Sequence, residues 1–323
     1  MIGQDEFDAA VVRYRPELRA YCYRMLGSLH DAEDALQEAL LGAWRGLAGF
    51  EGRASLRSWL YRIATNACLR VVAARPRRML PHEAAPAASG VDVEPFVEGP
   101  MWLEPYPSEA ESSDAQANDA QAAFERRESL ELAFVAALQH LPATQRAVLV
   151  LRDVLGFSAA EVAEQLETSV ASVNSALQRA KDTVERKVPP MSQQATLRQL
   201  GVAGERALVD AFVNAWGRGD VDAIVALLAR DATFTMPPIP TWFDGPAAIA
   251  RFLRERVFAT PWRLEPMRAN GGQLAFACYQ GPAFGVGALQ VVSLEGASIK
   301  QITGFLDPAV HARFSLPKLR RDR

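Results

Sequence analysis

Cysteine is scarce in this chain: Cys22, Cys68 and Cys278 lie far apart and in no Cys-x-x-Cys spacing, which excludes a disulfide framework and a thiolate zinc site. All three are expected as small core residues. Lysine is nearly absent too, standing only at positions 181, 187, 300 and 318, so the positive charge is almost wholly arginine. No stretch approaches the ~20 uninterrupted apolar residues of a membrane span. The first six residues lack the basic-then-apolar layout of a signal peptide, so a cytoplasmic protein with no membrane partner is expected. No metal, no cofactor and no catalytic residue is expected. What is present is 323 residues, 49% hydrophobic and 23% charged, which suits two or three folded domains rather than one core.

The net charge of -3 conceals a segregation. Between Arg53 and Arg78 the charged residues are all arginine, and between Glu83 and Glu125 they are all acidic. A basic module followed by an acidic connector is therefore expected, and the basic module points to an anionic partner.

Hydrophobic periodicity divides the chain further. Phe7, Val11, Tyr14, Leu18, Tyr21, Cys22 and Met25 form one helical stripe that Gly27 ends as a C-cap. A second helix from Ser28 or Asp31 carries Ala32, Ala35, Leu36, Ala39, Leu40 and Trp44 on its buried face, and a third begins near Ser55. Prolines then interrupt all periodicity from Pro76 to Pro107. Within that stretch Met101 to Pro107 is aromatic enough either to dock on a neighbour or to form a loosely packed turn. Helical periodicity returns from Ala122 to Val188, where Ser158 with Glu161 has capping-box spacing and Ser169 opens a further helix, the outline of a helix-turn-helix. From Glu205 onward two helices precede strand-like runs, with one more helix at Ala247 to Arg256, which predicts an α+β domain with an antiparallel sheet. The expected domains are residues 1–80 (helical), 81–121 (acidic, proline-rich linker), 122–188 (helix-turn-helix), 189–204 (linker) and 205–323 (α+β).

A recognition helix in a major groove presents short polar and basic side chains; Ser172, Asn174, Ser175, Gln178 and Arg179 are the candidates, with Lys181 near the phosphates. A generic helical hairpin with a solvated polar face is the alternative. In the first domain Arg53, Arg57, Arg62, Arg70, Arg75, Arg77 and Arg78 share their stretch with Trp59 and Tyr61, a mixture suited to unpaired nucleic acid. Trp59 falls at core spacing; Tyr61 and Arg62 fall on another face. The polar group Asp31, Glu33, Asp34, Gln37 and Glu38 is either solvated charge or a partner surface.

Three stretches together carry a resemblance: Asp31-Ala-Glu-Asp-Ala-Leu-Gln-Glu38, Ser58-Trp-Leu-Tyr-Arg-Ile-Ala-Thr-Asn-Ala-Cys68, and Leu141-Pro-Ala-Thr-Gln-Arg-Ala-Val-Leu149 followed by Gly156-Phe-Ser-Ala-Ala-Glu-Val-Ala163. In this order they resemble regions two and four of an extracytoplasmic-function sigma factor of the sigma-70 family, over about Phe7 to Lys187. The resemblance implies a protein that binds core RNA polymerase through the β′ coiled coil and the β flap, with Asp31, Asp34, Gln37 and Glu38 facing the coiled coil. It implies that Arg53 to Arg78, with Tyr61 and Asn66 among them, bind and melt the promoter's minus-ten element. Ser169 to Lys181 would read the minus-thirty-five element. Arg70 departs from the family, which often carries an acid there.

Ala215-Trp-Gly-Arg-Gly-Asp220, Asp231-Ala-Thr-Phe234, Phe243-Asp-Gly245 and the Ile299 to Phe305 strand resemble the SnoaL-like, nuclear-transport-factor-two-like cone. The chain thus resembles the subgroup of sigma factors with this fused domain, and that resemblance implies an extension that regulates the sigma function. Met236, Trp242, Phe252, Phe276, Tyr279 and Phe305 either line a small-molecule pocket in the cone or pack its core. His311 is the domain's one histidine and lies beyond the last expected strand, so no pocket base is evident. Two alternatives remain: a SnoaL-like enzyme fused to a DNA-binding module, and a helix-turn-helix regulator that works without polymerase.

Overall fold

The computed structural model describes residues 3–52, 54–97, 99, 101–108 and 126–316. The chain forms two compact units, one of Met1–Arg78 with Glu109–Pro190, the other of Met79–Ser108 with Met191–Arg323.

The first unit opens with α1 (Gln4–Leu26), α2 (Leu29–Gly46) and α3 (Leu56–Ala74). Gly27 takes the left-handed conformation at φ 66°, and its N–H bonds the Tyr23 carbonyl at 2.7 Å. That closes α1 and aims the chain into α2. Ser28 Oγ accepts from the Asp31 amide and Ser55 Oγ from the Ser58 amide, each at 3.1 Å. Such caps contribute about 1 kcal/mol each. The buried stripe of α2 is Leu29, Ala32, Ala35, Leu36, Ala39 and Ala43. Trp44, expected on that face, is 60% exposed, because it stands one residue and so about 100° past Ala43. Tyr21 donates to Thr65 Oγ1 at 2.7 Å, since the Thr65 hydroxyl proton is committed to the Tyr61 carbonyl, also at 2.7 Å. That chain ties α1 to α3.

After the linker come α4 (Leu132–Gln139), α5 (Ala143–Leu149) with a π turn (Val150–Val154), α6 (Ala159–Gln165) and α7 (Val170–Glu185). Ser158 and Glu161 make the expected reciprocal capping box at the start of α6. Glu167, at φ 52°, turns the chain between α6 and α7, and Ser169 caps α7 through the Ser172 amide. Val173, Ala176, Ala180 and Val184 are the buried positions of α7.

The second unit is a six-stranded sheet in the order β2-β1-β6-β5-β4-β3, from β1 (Leu228–Met236), β2 (Ile239–Asp244), β3 (Trp262–Ala269), β4 (Gln273–Gln280), β5 (Gly285–Glu295) and β6 (Ser298–Phe305). The sheet is mixed rather than antiparallel. Hairpins join β3 to β6, but β6 returns beside β1, and that one seam is parallel. The strands without a clear sequence signal, β2 and β3, are the two edges, where Pro240 and Pro266 cost no central ladder bond. Helices α8 (Gln193–Arg218), α9 (Val221–Ala226) and α10 (Gly245–Glu255) supply Leu208, Phe212, Trp216, Ile224, Ile249, Phe252 and Leu253 to the core.

Two expected linkers prove to be folded parts of this unit. Residues 193–200 belong to α8, which bends at Gly201 with φ 71°. Their first side chain, Gln193, imitates a strand: its amide donates to the Leu294 carbonyl at 3.0 Å and its Oε1 accepts the Leu294 N–H at 2.6 Å. Residues 79–108 lie along the domain as a strap. Tyr106 exchanges bonds with Asn270 at 2.8 and 3.2 Å, the Ala88 amide bonds the Trp242 carbonyl at 2.9 Å, and the Glu94 amide bonds Thr241 Oγ1 at 2.9 Å. Trp102, Leu103 and Tyr106 are buried. Removing Leu103 alone from water is worth about 2 kcal/mol, so the aromatic cluster of the linker docks instead of forming a solvated turn.

Candidate nucleic-acid interface

The helix-turn-helix offers an open polar face. With its apolar positions spent on Val173, Ala176, Ala180 and Val184, α7 leaves Ser169, Ser172, Asn174, Ser175, Gln178 and Arg179 exposed. Their ties are local to the helix or its cap: Ser169 Oγ meets Ser172 Oγ at 2.9 Å, and Gln178 donates to Asp182 at 2.8 Å. Lys181 is half-buried and paired with Asp153 at 2.8 Å. Asn, Gln and Arg on one exposed helical face provide the donor and acceptor pairs that adenine and guanine edges require.

The basic stretch is disposed differently. Arg53 lies outside the described residues. Asn66 and Arg70 are exposed on α3, Arg70 holding Glu38 at 2.8 Å, and Arg62 is half-buried on the wall of a cavity of about 330 Å³ with Trp59 and Phe50. Tyr61, by contrast, is fully buried. Its ring stands edge-on to Phe157 with centroids 5.2 Å apart. Arg57 donates to Glu17 at 2.6 Å and to the Leu155 carbonyl at 3.2 Å, with its guanidinium 4.4 Å from the Phe157 ring. Gln165 of α6 completes this contact by donating to Ser58 Oγ at 2.9 Å. Burial works against the Arg57 charge, yet the bond to Glu17 and its attraction hold the pKa above the usual value. Burial, then Glu17, pushes the Tyr61 phenol well up, so it stays neutral. Glu17, Phe157 and Gln165 are the partners that sequence reasoning did not identify; each is remote in sequence and carries no local signal.

The candidate polymerase face also splits. Asp34, Gln37 and Glu38 are exposed along α2, in line with the exposed Leu41 and Trp44. Asp31 points inward and takes ion pairs from Arg75 and Arg78. Arg78 is buried with it, whereas Arg75 and Arg77 reach the surface, Arg77 against the His140 ring. In the second unit Met236, Phe252 and Phe276 are core side chains, and Tyr279 and Phe305 are buried. Trp242 donates from its indole to the Ala85 carbonyl of the strap at 2.7 Å. His311 is buried with Nε2 2.7 Å from the Phe305 carbonyl. The three cysteines are buried, and no helix among the described residues is long and apolar enough to cross a membrane.

Residues 10–78 match Sigma-70 region 2, residues 131–184 match Sigma-70 region 4, and residues 209–288 match the SnoaL-like domain. The chain is 41% identical to the ECF RNA polymerase sigma factor SigG of Mycobacterium tuberculosis, over 97% of this chain and 84% of that protein. It is 31% identical to the ECF RNA polymerase sigma-E factor of Escherichia coli, over 58% of this chain and 89% of the other. The crystal structure of the M. tuberculosis extracytoplasmic function sigma factor SigJ is similar over 96% of this chain and 100% of its own, with a TM-score of 0.59 at 22% identity, a likeness of fold.

Proposed function

The chain belongs to the extracytoplasmic-function RNA polymerase sigma factors, and from that premise we propose how its surfaces divide the work of promoter recognition. The exposed face of α7 reads the minus-thirty-five element, with Asn174, Gln178 and Arg179 on base edges and Ser169, Ser172 and Ser175 on base edges or phosphates. Arg53, Arg57, Tyr61, Arg62, Asn66, Arg70, Arg75, Arg77 and Arg78 serve the minus-ten element, where flipped bases stack on rings and the backbone follows cations. The α2 stripe of Asp34, Gln37 and Glu38, with Leu41 and Trp44 beside it, docks on the β′ coiled coil, and the β flap takes the helix-turn-helix unit. An exposed tryptophan and leucine bordered by carboxylates suit a protein partner. The factor works in the cytoplasm, and its SnoaL-like domain regulates rather than catalyses.

The observation that carries the DNA assignment is the α7 face, six polar side chains left to solvent by four small apolar anchors. The regulatory assignment is supported by the strap: residues 79–108 join the two sigma regions in sequence yet fold as part of the SnoaL-like unit. That domain therefore governs how much free tether the sigma regions have.

Run-off transcription from a library of random upstream sequences, with purified core polymerase and the full chain, tests the proposal. Sequence-specific transcripts that need the protein, and that shift their upstream consensus when Asn174 and Gln178 become alanine, are expected. Transcripts with an unchanged consensus would remove α7 as the reader, and no binding to core would remove the polymerase surfaces.

A further inference from the structure

The strap closes on itself. Met79, its first residue, donates to the Met101 carbonyl at 2.9 Å and accepts from the Leu103 amide at 3.0 Å. The chain between them therefore adds nothing to the reach from region two to region four. Beyond the closure Tyr106 exchanges bonds with Asn270, and Ser108 Oγ accepts from the Gly272 amide at 3.2 Å. Entry and exit of the strap are thus both fixed on the SnoaL-like unit. Along β2 it is held by hydrogen bonds from the amides of Ala88, Glu94 and Val97 and from the side chains of Trp242 and Arg256, while Val93 and Phe96 stay exposed. Bonds of this kind exchange for bonds to water at a small net cost.

With the strap docked, each sigma region hangs from the SnoaL-like unit by a short leash. Helix α3 ends at Ala74, five residues before Met79, and α7 ends at Glu185, eight before Gln193 at the start of α8. Fully extended, these leashes span about 18 and 28 Å. The 163 residues of the unit, 79–108 and 191–323, imply a radius of gyration of about 15 Å and a width of about 40 Å. Minus-ten and minus-thirty-five elements stand about 25 base pairs apart, about 85 Å along B-DNA. The readers α3 and α7 cover that distance only with both leashes taut and the whole width of the unit in line between them. Undocking turns residues 75–131 into one tether of about 200 Å contour length, and the restraint disappears. We infer, resting on the promoter reading proposed above, that the strap is a releasable tether lock: docked, it keeps regions two and four too close to engage both promoter elements, and it leaves β2 and the Asn270 turn when they do.

Hydrogen–deuterium exchange of the full chain, first free and then bound to core polymerase and a promoter carrying both elements, tests this. The Met79, Ala88, Val97 and Leu103 amides are expected to be protected in the free chain and to exchange at least tenfold faster in the complex. Unchanged protection in a complex that makes transcripts overturns the lock. A second chain carries twenty Gly/Ser residues between the exposed Pro190 and Met191, which lengthens one leash and leaves the strap alone. It is expected to bind the two-element promoter, with core, at least fivefold more tightly than the parent and to keep its strap amides protected there. On a duplex with the minus-thirty-five element alone the two chains should bind equally. Equal affinity of the two chains for the two-element promoter likewise overturns the lock. Failure of both chains to bind core removes the promoter reading and the lock with it, whereas the preceding outcomes remove the lock alone.

Discussion

Helices α3 and α7 both carry polar and basic residues proposed above to meet DNA, and they hold them in opposite ways. On α7 the polar face looks outward, with bonds only to its own turn and cap. On α3 the stretch from Arg57 to Tyr61 is folded inward against Glu17, Leu155, Phe157 and Gln165. A duplex reader needs nothing more than a rigid, solvated face. A helix that must receive unpaired bases needs apolar and aromatic surface, and in the free protein such surface is driven to cover itself. The same sequence chemistry thus yields one face open to solvent and another occupied by its own chain.

Six substitutions would break or sharpen this contrast. The largest effect is expected from Phe157→Ala, which removes the ring that Tyr61 and Arg57 pack against and should cost about 3–5 kcal/mol of stability. A urea midpoint that hardly moves would mean that α3 is not held by this contact. Next, Asn174→Ala and Gln178→Ala should each weaken promoter binding by the holoenzyme by about 1–3 kcal/mol. Their unfolding midpoints should match that of the parent, as expected of side chains that touch only solvent and their own helix.

A smaller change is expected at the cap that sets α6. Ser158→Ala should cost about 1 kcal/mol. Its partner adds a pH dependence: the bonds to the Ser158 backbone and side chain hold the Glu161 carboxyl below its usual 4.5. A depressed carboxyl stabilises the fold above its unfolded pKa and loses that contribution as the pH falls through the folded value. Glu161→Gln should therefore differ from the parent at neutral pH and converge with it as the medium is acidified below about 4.5, read from urea midpoints at each pH. The smallest effect belongs to Arg70→Ala, whose exposed pair with Glu38 should be worth at most about 0.5 kcal/mol and vanish in high salt. A larger loss would place Arg70 with the inward part of α3.

Much of the fold was legible because it rests on local chemistry. Gly27, Ser55, the Ser158–Glu161 pair and Ser169 each mark a helix end through bonds made within a few residues, and all four do so in the structure. The α7 face was legible for the same reason, since helical period alone separates Val173 from Asn174. What was not legible depends on partners distant in sequence. Tyr61 and Phe157 are 96 positions apart by number, and nothing near either announces the other. Trp44 shows the limit of periodicity itself, since a large apolar residue one step off the stripe counts as core until a partner is found missing. The packing of the strap stayed open between docking and a loose turn because proline stops helix and strand patterns but does not prevent an extended segment from packing and bonding.

The strap also imposes an order in time. Tyr106 leaves the ribosome 164 residues ahead of Asn270, the residue with which it exchanges hydrogen bonds. At about 5–20 residues per second, Trp102, Leu103 and Tyr106 wait roughly 8–33 s for the surface that covers them. Late in that interval regions two and four have both been synthesised while the segment between them is still unanchored. A nascent chain would then pass through a state with a full-length free tether, one the finished protein does not hold, and a chaperone or a polymerase could meet it first.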